Sequence, residues 1–181
     1  MSTHKLIRLW MAPAVLVACS GAPAGEWSTD VATSKVTMYA TKQGVWFNGD
    51  FTDFTAEIDF DPAEPSAGSI VGVVTTDSIS TEDEQNGAYI RQYLEVDLFP
   101  EARFESTSIV AIEDYFQATG DLTLRDVTKP VMLEFSFSTG DEAHFSGQIV
   151  IDRFEFGIAP DIDPGWGGQE VTVQVELDLT K

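Results

Sequence analysis

Residues 120–135 have the sequence GDLTLRDVTKPVMLEF, and this stretch decides the fold class of the chain. Apolar residues occupy every second position on both sides of a polar turn, namely Leu122, Leu124, Val131, Leu133 and Phe135. Because side chains alternate between the two faces of a strand, the pattern predicts a hairpin with one buried side. Asp126 is predicted to take the positive φ of the turn, which Asp tolerates better than most residues. Pro130 lacks an N–H and is predicted to begin the second strand.

The same one-sided pattern recurs along the chain. The last strand is the cleanest, because Val171, Val173 and Val175 alternate with Thr172 and Gln174. Strands are predicted at 34–40, 45–51, 56–61, 69–76, 103–112, 115–124, 131–138, 143–152 and 170–179. Short polar turns separate these strands without intervening helices, so the sequence predicts an all-β antiparallel barrel or sandwich.

One segment, a helical insert around residues 83–98, interrupts the strands. Residues 81–84 supply capping and acidic side chains, and the apolar positions of 88–94 follow helical spacing. Pro100 ends the segment. The insert is predicted to plug one end of the sheet.

Composition excludes several functions. The chain has 30 acidic and 10 basic residues, a formal net charge of -20, which disfavours nucleic acid because that affinity depends on Lys and Arg. His144 is the single histidine beyond residue 4, so neither a catalytic triad nor a multi-histidine metal site is expected. Asp161 and Asp163 have calcium-loop spacing but lack further oxygen ligands, and a solvated loop is expected there. The sequence therefore predicts no enzyme, cofactor or metal centre.

The N-terminus resembles an export signal. Residues 1–18 combine basic residues with an apolar run too short to span a bilayer. The run ends in LVACS, which resembles a bacterial lipobox, so Cys19 is the predicted lipidation site and residues 19–26 a lipidated tether. Cleavage after residues 22–24 is the alternative. Ser20 is compatible with outer-membrane sorting, so a periplasmic or envelope lipoprotein is predicted, with the folded domain at 27–181.

Several fragments together resemble a known family. They are WSTD at 27–30, GDFTDF at 49–54, DSIST at 77–81, FPEARFES at 99–106, GDLTL and VTKPV within 120–131, and DRFEFGI at 152–158. In this order they resemble the YceI-like family, lipocalin-like polyisoprenoid-binding proteins exported by bacteria. Three positions depart from the family pattern: Asp126 replaces a common Gly, residues 86–90 replace an Arg-Asp pair and a His-Leu start, and no His lies near Thr41. These changes are expected at the barrel mouth, where they would affect the ligand more than the fold.

The resemblance implies an eight-stranded antiparallel barrel around an apolar tunnel for an isoprenoid, quinone-like or other long amphiphile. The lumen-facing residues expected to contact such a lipid are Phe47, Phe54, Ile58, Leu122, Leu124, Leu133, Phe135, Ile149, Ile151 and Val173. Arg153 follows an apolar strand and is expected either to pair with a local acid or to hold a headgroup. The expected partners are this lipid, a membrane reached through the anchor, and a second copy in a homodimer. A structural or stress-related envelope module, with a barrel filled by its own side chains, is the alternative function.

Overall fold

The computed structural model describes residues 26–139 and 142–180. The predicted signal peptide, the lipidation site Cys19 and the tether up to residue 25 lie outside the described residues. Among those described, no helix is long and apolar enough to cross a membrane.

Eleven strand segments and one α-helix make up the described chain. The strands are β1 (Glu26–Thr29), β2 (Lys35–Lys42), β3 (Val45–Phe51), β4 (Phe54–Asp59), β5 (Ser69–Thr75), β6 (Ile79–Thr81), β7 (Glu101–Ile112), β8 (Tyr115–Leu124), β9 (Val127–Ser138), β10 (Ala143–Asp152) and β11 (Glu170–Thr180). The helix, α1, spans Glu84–Leu94, and short 3₁₀ turns occur at Pro65–Ala67 and Thr76–Ser78. The helix therefore begins earlier than the predicted 88–94, and the β1 and β6 segments were not predicted.

The strand segments form a closed antiparallel barrel with eight strand positions. At three of these positions the strand is interrupted and consists of two consecutive segments, β1 with β2, β3 with β4, and β5 with β6. The first position pairs with the second through β1–β4 and β2–β3, and the second pairs with the third through β4–β5 and β3–β6. The remaining strands follow in chain order, and β11 closes the ring by pairing with both β1 and β2. The predicted all-β, eight-stranded barrel with a helical insert is confirmed.

The hairpin at 120–135 forms as predicted, with two corrections. β8 and β9 pair from Phe116–Phe135 to Leu124–Val127. The positive φ belongs to Arg125 (φ 58), not to Asp126, as in a two-residue hairpin turn in which only the first central residue has a positive φ. Pro130 is the fourth residue of β9 rather than its first. It is tolerated there because β10 pairs with β9 only from Leu133 onwards, so at Pro130 the strand is paired on one side.

The two ends of the barrel differ. The end that carries α1 and the segment 153–169 is called the mouth, and the opposite end, where β8 begins, is called the closed end. Six aromatic side chains fill the closed end, with ring centroids 4.8 to 5.7 Å apart: Trp27, Phe60, Phe116, Phe135, Phe137 and Phe145. Gly147 makes room for this cluster, since a Cβ there would lie 3.0 Å from the Phe145 ring and 3.1 Å from Phe135 Cβ. This aromatic part of the core is therefore concentrated at the closed end.

Candidate ligand-binding cavity

A cavity of about 260 Å³ occupies the half of the barrel next to the mouth. Its wall comes from β2–β5, β7, β8, β10 and β11. The larger apolar side chains that line it include Val36, Met38, Phe47, Phe51, Phe54, Val74, Phe104, Leu122, Leu124, Ile149, Ile151, Val171, Val173 and Val175. Small residues on neighbouring strands, Ala56, Gly72 and Ala102, leave the space open. Because nearly all the exposed lining is apolar, the cavity suits a long apolar molecule.

Helix α1 lies across the mouth of the cavity. Asp83 caps its N-terminus by accepting a hydrogen bond from the Gln85 N–H at 3.0 Å. Four residues at helical spacing line the cavity: Tyr89, Ile90, Tyr93 and Leu94. At the other end Glu95 adopts a left-handed conformation (φ 51), and its carboxylate lies 2.7 Å from Nη2 of Arg125. Nη1 of Arg125 donates to the Gly157 carbonyl at 3.0 Å. Arg125, in the turn between β8 and β9, therefore links the end of α1 to the loop at 153–168.

The loop at 153–168 forms the rest of the mouth, and Arg153 holds it in shape. The Arg153 side chain is 7% exposed. Its five N–H groups all donate to backbone carbonyls, those of Ile158, Ala159, Ile162, Gly167 and Gly168, and four of these bonds measure 2.7 to 3.0 Å. The guanidinium also lies 4.0 Å from the Phe154 ring centroid. A single side chain thus satisfies carbonyls that this irregular, partly buried segment would otherwise leave unpaired.

The electrostatics of Arg153 follow from its burial. Loss of hydration lowers the pKa of Arg153 from its ordinary value, and the Asp152 carboxylate opposes this shift. The guanidinium stays protonated, because arginine does not lose its proton in proteins. No carboxylate among the described residues forms an ion pair with it. The expected ion pair between Arg153 and a local acid is therefore wrong. All N–H groups of Arg153 are taken by backbone carbonyls, and a headgroup contact at this residue stays a prediction.

Lys42 is the other cation that lines the cavity. Its Nζ donates to Oδ1 of Asn86 at 2.9 Å. The ammonium group also lies 5.3 Å from the ring centroid of Tyr89 and 5.6 Å from that of Trp166, which are cation–π distances. Trp166 is held there because its carbonyl accepts from the Gln43 N–H at 2.7 Å. The end of β2, the helix and the loop therefore meet at Lys42.

Comparison with known proteins places this barrel in a family. The sequence profile of the YceI-like domain matches residues 27–179. The chain belongs to the YceI-like family. Protein YceI from Salmonella arizonae is 34% identical over 140 residues, which cover 72% of this chain and 73% of that protein.

Solved structures share the fold. Burkholderia cenocepacia BcnA superposes with a TM-score of 0.79 at 25% identity, over 84% of this chain and 99% of BcnA. A polyisoprenoid binding domain from Saccharophagus degradans, implicated in plant cell wall breakdown, superposes with a TM-score of 0.64 at 15% identity, over 84% of this chain and 97% of that domain. The YceI-like barrel is thus a fold that a polyisoprenoid binding domain also adopts.

The structure divides the ten predicted lumen residues of this YceI-like barrel into two groups. Seven line the cavity, namely Phe47, Phe54, Leu122, Leu124, Ile149, Ile151 and Val173. The other three, Ile58, Leu133 and Phe135, are 1 to 3% exposed in the packed core and do not line it. Contact between the seven residues and a ligand stays a prediction.

Several cavity residues of the YceI-like barrel were missed from the sequence. Lys42 shares the inward face of β2 with Val36, Met38 and Ala40, so period-two alternation carried a signal for it. Helical spacing marked Tyr89 and Tyr93, which were expected only to plug a sheet. Trp166 lies in a loop, where no periodicity indicates which side chains converge. The same holds for Arg125, which lies in the turn beside the mouth but does not line the cavity. Sequence periodicity therefore indicated the cavity residues on the strands and the helix, but not those in the loops.

Proposed function

We propose that this chain binds a long apolar or amphiphilic lipid, such as a polyisoprenoid or a quinone-like molecule, in the mouth-side cavity and carries or sequesters it without chemical change. The observation that carries the proposal is the unequal filling of the barrel. Aromatic side chains pack the closed end, whereas the other half keeps an apolar cavity of about 260 Å³ beneath α1. Burial of a lipid chain there is favourable by about 0.8 kcal/mol per CH₂ before ordering costs.

The cavity also argues against a barrel that is only a structural or stress-related module. A close-packed interior leaves few voids larger than a water molecule. A large apolar space between Gly72 and the tyrosines of α1 costs stability unless a ligand fills it. Binding rather than catalysis is proposed because the lining is apolar and offers no acid–base pair.

Export and membrane tethering form a separate part of the proposal. Lipidation at Cys19 would place the barrel at the periplasmic face of a membrane, close to a source of lipid. A Cys19→Ser variant should leave the membrane fraction and appear among soluble exported proteins, whereas unchanged fractionation would overturn the anchor. Outer-membrane placement and the homodimer remain predictions.

The ligand proposal can be tested by blocking the cavity. Gly72 lines it, and a Cβ built there meets no heavy atom within 4 Å, so Gly72→Phe can place a ring in the cavity without a clash at its base. Val71→Phe is the matched control, because Val71 pairs with the exposed Glu57 and Glu105 on the outer face. The exported full chain should carry Cys19→Ser, so that it can be purified without detergent.

Native mass spectrometry of the purified proteins is the measurement. The parent protein and Val71→Phe are expected to carry a lipid-sized adduct that organic solvent extracts, and Gly72→Phe is expected to lack it while keeping its thermal stability. An empty parent protein that also shows no thermal shift with polyprenyl or quinone probes would overturn the proposal. So would equal adduct occupancy in Gly72→Phe.

A further inference from the structure

The charges that line the cavity have the opposite sign to the rest of the molecule. The chain carries 30 acidic and 10 basic residues. The cavity is nevertheless lined by two cations, Lys42 and Arg153, and by no Asp or Glu. Neither cation forms an ion pair with a carboxylate of the described residues. Among the other described cations, Arg91, Arg103 and Arg125 each form such a pair, whereas Lys35 and Lys129 do not.

The two cations differ in what they can still bind. Arg153 gives all five N–H groups to backbone carbonyls and contributes only its charge. Lys42 has three donors, of which one reaches Asn86 and two make no hydrogen bond to any described residue. The rings of Tyr89 and Trp166 hold the ammonium group in place, so part of the ordering cost of binding is already met.

We propose that the ligand of this cavity is an amphiphile with an anionic end, a phosphate or a carboxylate, and that Lys42 Nζ binds that end at the mouth while the apolar tail fills the barrel. The inference rests on the proposed lipid-binding function and adds the class of headgroup. Lys42 lies where β2 ends, so the charged end of the ligand stays near water while the tail is buried. Charge-assisted hydrogen bonds from ammonium to phosphate or carboxylate are among the stronger polar contacts.

Pairs of probes with the same tail and different headgroups distinguish the contribution of the headgroup to binding from that of the tail. Geranylgeranyl monophosphate is compared with geranylgeraniol, and palmitate with 1-hexadecanol, each below its critical micelle concentration. The protein is the full chain with Cys19→Ser, freed of bound lipid, and dissociation constants are measured by calorimetry. Lys42→Met removes the charge at similar length, Lys42→Arg restores a charge, and Lys35→Met is the matched control, because Lys35 is exposed on the same strand and does not line the cavity.

At least one anionic probe is expected to bind about tenfold more tightly than its alcohol. Lys42→Met should abolish that preference, Lys42→Arg should recover most of it, and Lys35→Met should keep it. A preference for the phosphate pair alone or the carboxylate pair alone identifies which anion is recognised. Equal binding of acid and alcohol by the parent, or a preference that survives in Lys42→Met, would overturn the anionic headgroup and leave lipid binding intact. No binding of any of the four probes would instead count against the proposed function itself.

Discussion

Arg153 shows how one residue shapes the mouth of the barrel. Its planar guanidinium reaches five carbonyls spread over residues 158–168, which a compact ammonium group cannot do. These carbonyls are partly buried, so each would be poorly hydrated without its partner, and hydrogen bonds from a charged donor offset that cost. The residue therefore acts as a structural link within the loop, and all its N–H groups are used for that role.

Replacement of Arg153 by lysine should destabilise the protein. Lysine keeps the charge but offers three donors from one atom, so at least two carbonyls lose their partner, and we expect a loss of about 2 kcal/mol or more in the free energy of unfolding. Urea denaturation at pH 7 measures the change. Arg103→Lys is the control, since Arg103 is an exposed partner of Glu105 and its replacement should change little. Equal effects of the two variants would contradict the role of Arg153.

At the scale of elements, strand alternation places a cluster of charged side chains on the outer face of β10 and β11. His144 on β10 lies opposite Asp178 on β11. Its Nδ1 is 2.9 Å from the Asp178 carboxylate, and its Nε2 is 3.1 Å from that of Glu176, which also accepts from the Ser146 hydroxyl at 2.7 Å. The hydrogen bond to Asp178 raises the pKa of His144 and lowers the pKa of Asp178. Because two carboxylates flank the ring, its protonated form is favoured.

This cluster should make stability depend on pH. The raised pKa of His144 means that its stabilisation is complete below about pH 6.5, the unfolded value, and is lost as pH rises through the folded value. The lowered pKa of Asp178 means that its stabilisation is present above about pH 4 and lost at lower pH. The difference in free energy of unfolding between the parent and His144→Gln should therefore be larger at pH 5.5 than at pH 8.5, and small throughout because the side chains are half exposed. Urea denaturation at both pH values checks this, and a difference independent of pH would refute it.

At the scale of the whole molecule, the barrel separates stability from binding. The rings at the closed end contact one another at centroid distances as short as 4.8 Å, between Phe135 and Phe145. The half near the mouth has an open interior and is enclosed by α1 and the loop that Arg153 organises. Substitutions at the closed end should thus mainly affect stability, and substitutions near the mouth should mainly affect lipid binding.

Truncation at each end tests this separation. Phe135→Ala should cost about 3–5 kcal/mol, because it opens a new cavity in a packed cluster, and should leave lipid affinity nearly unchanged in the folded protein. Leu124→Ala borders the existing cavity, so we expect a smaller cost of roughly 1–2 kcal/mol and a measurable change in lipid affinity. Denaturation curves and calorimetric titration with geranylgeraniol measure both quantities. Equal stability losses, or a binding defect confined to Phe135→Ala, would contradict the separation.

The sequence by itself determined the all-β antiparallel fold and the inward face of the strands whose apolar residues alternate cleanly. This was possible because alternation is a local property: Leu122 and Leu124 share a face in any sheet whose interior is apolar. The helical spacing of Tyr89 and Tyr93 was equally local, and the boundaries of β8 and β10 were predicted from the residues alone.

Only the tertiary structure decided which inward residues border a cavity and which fill the core. Phe135 and Phe54 are both buried aromatic residues on strands. Phe135 packs at the closed end and Phe54 lines the cavity, because the two residues lie at different heights along the barrel. The same holds for the charges. Arg153 and Lys42 acquire their roles from carbonyls, an amide and rings that lie far away in sequence or in irregular loops. Such convergence depends on register and loop path, which no local pattern encodes.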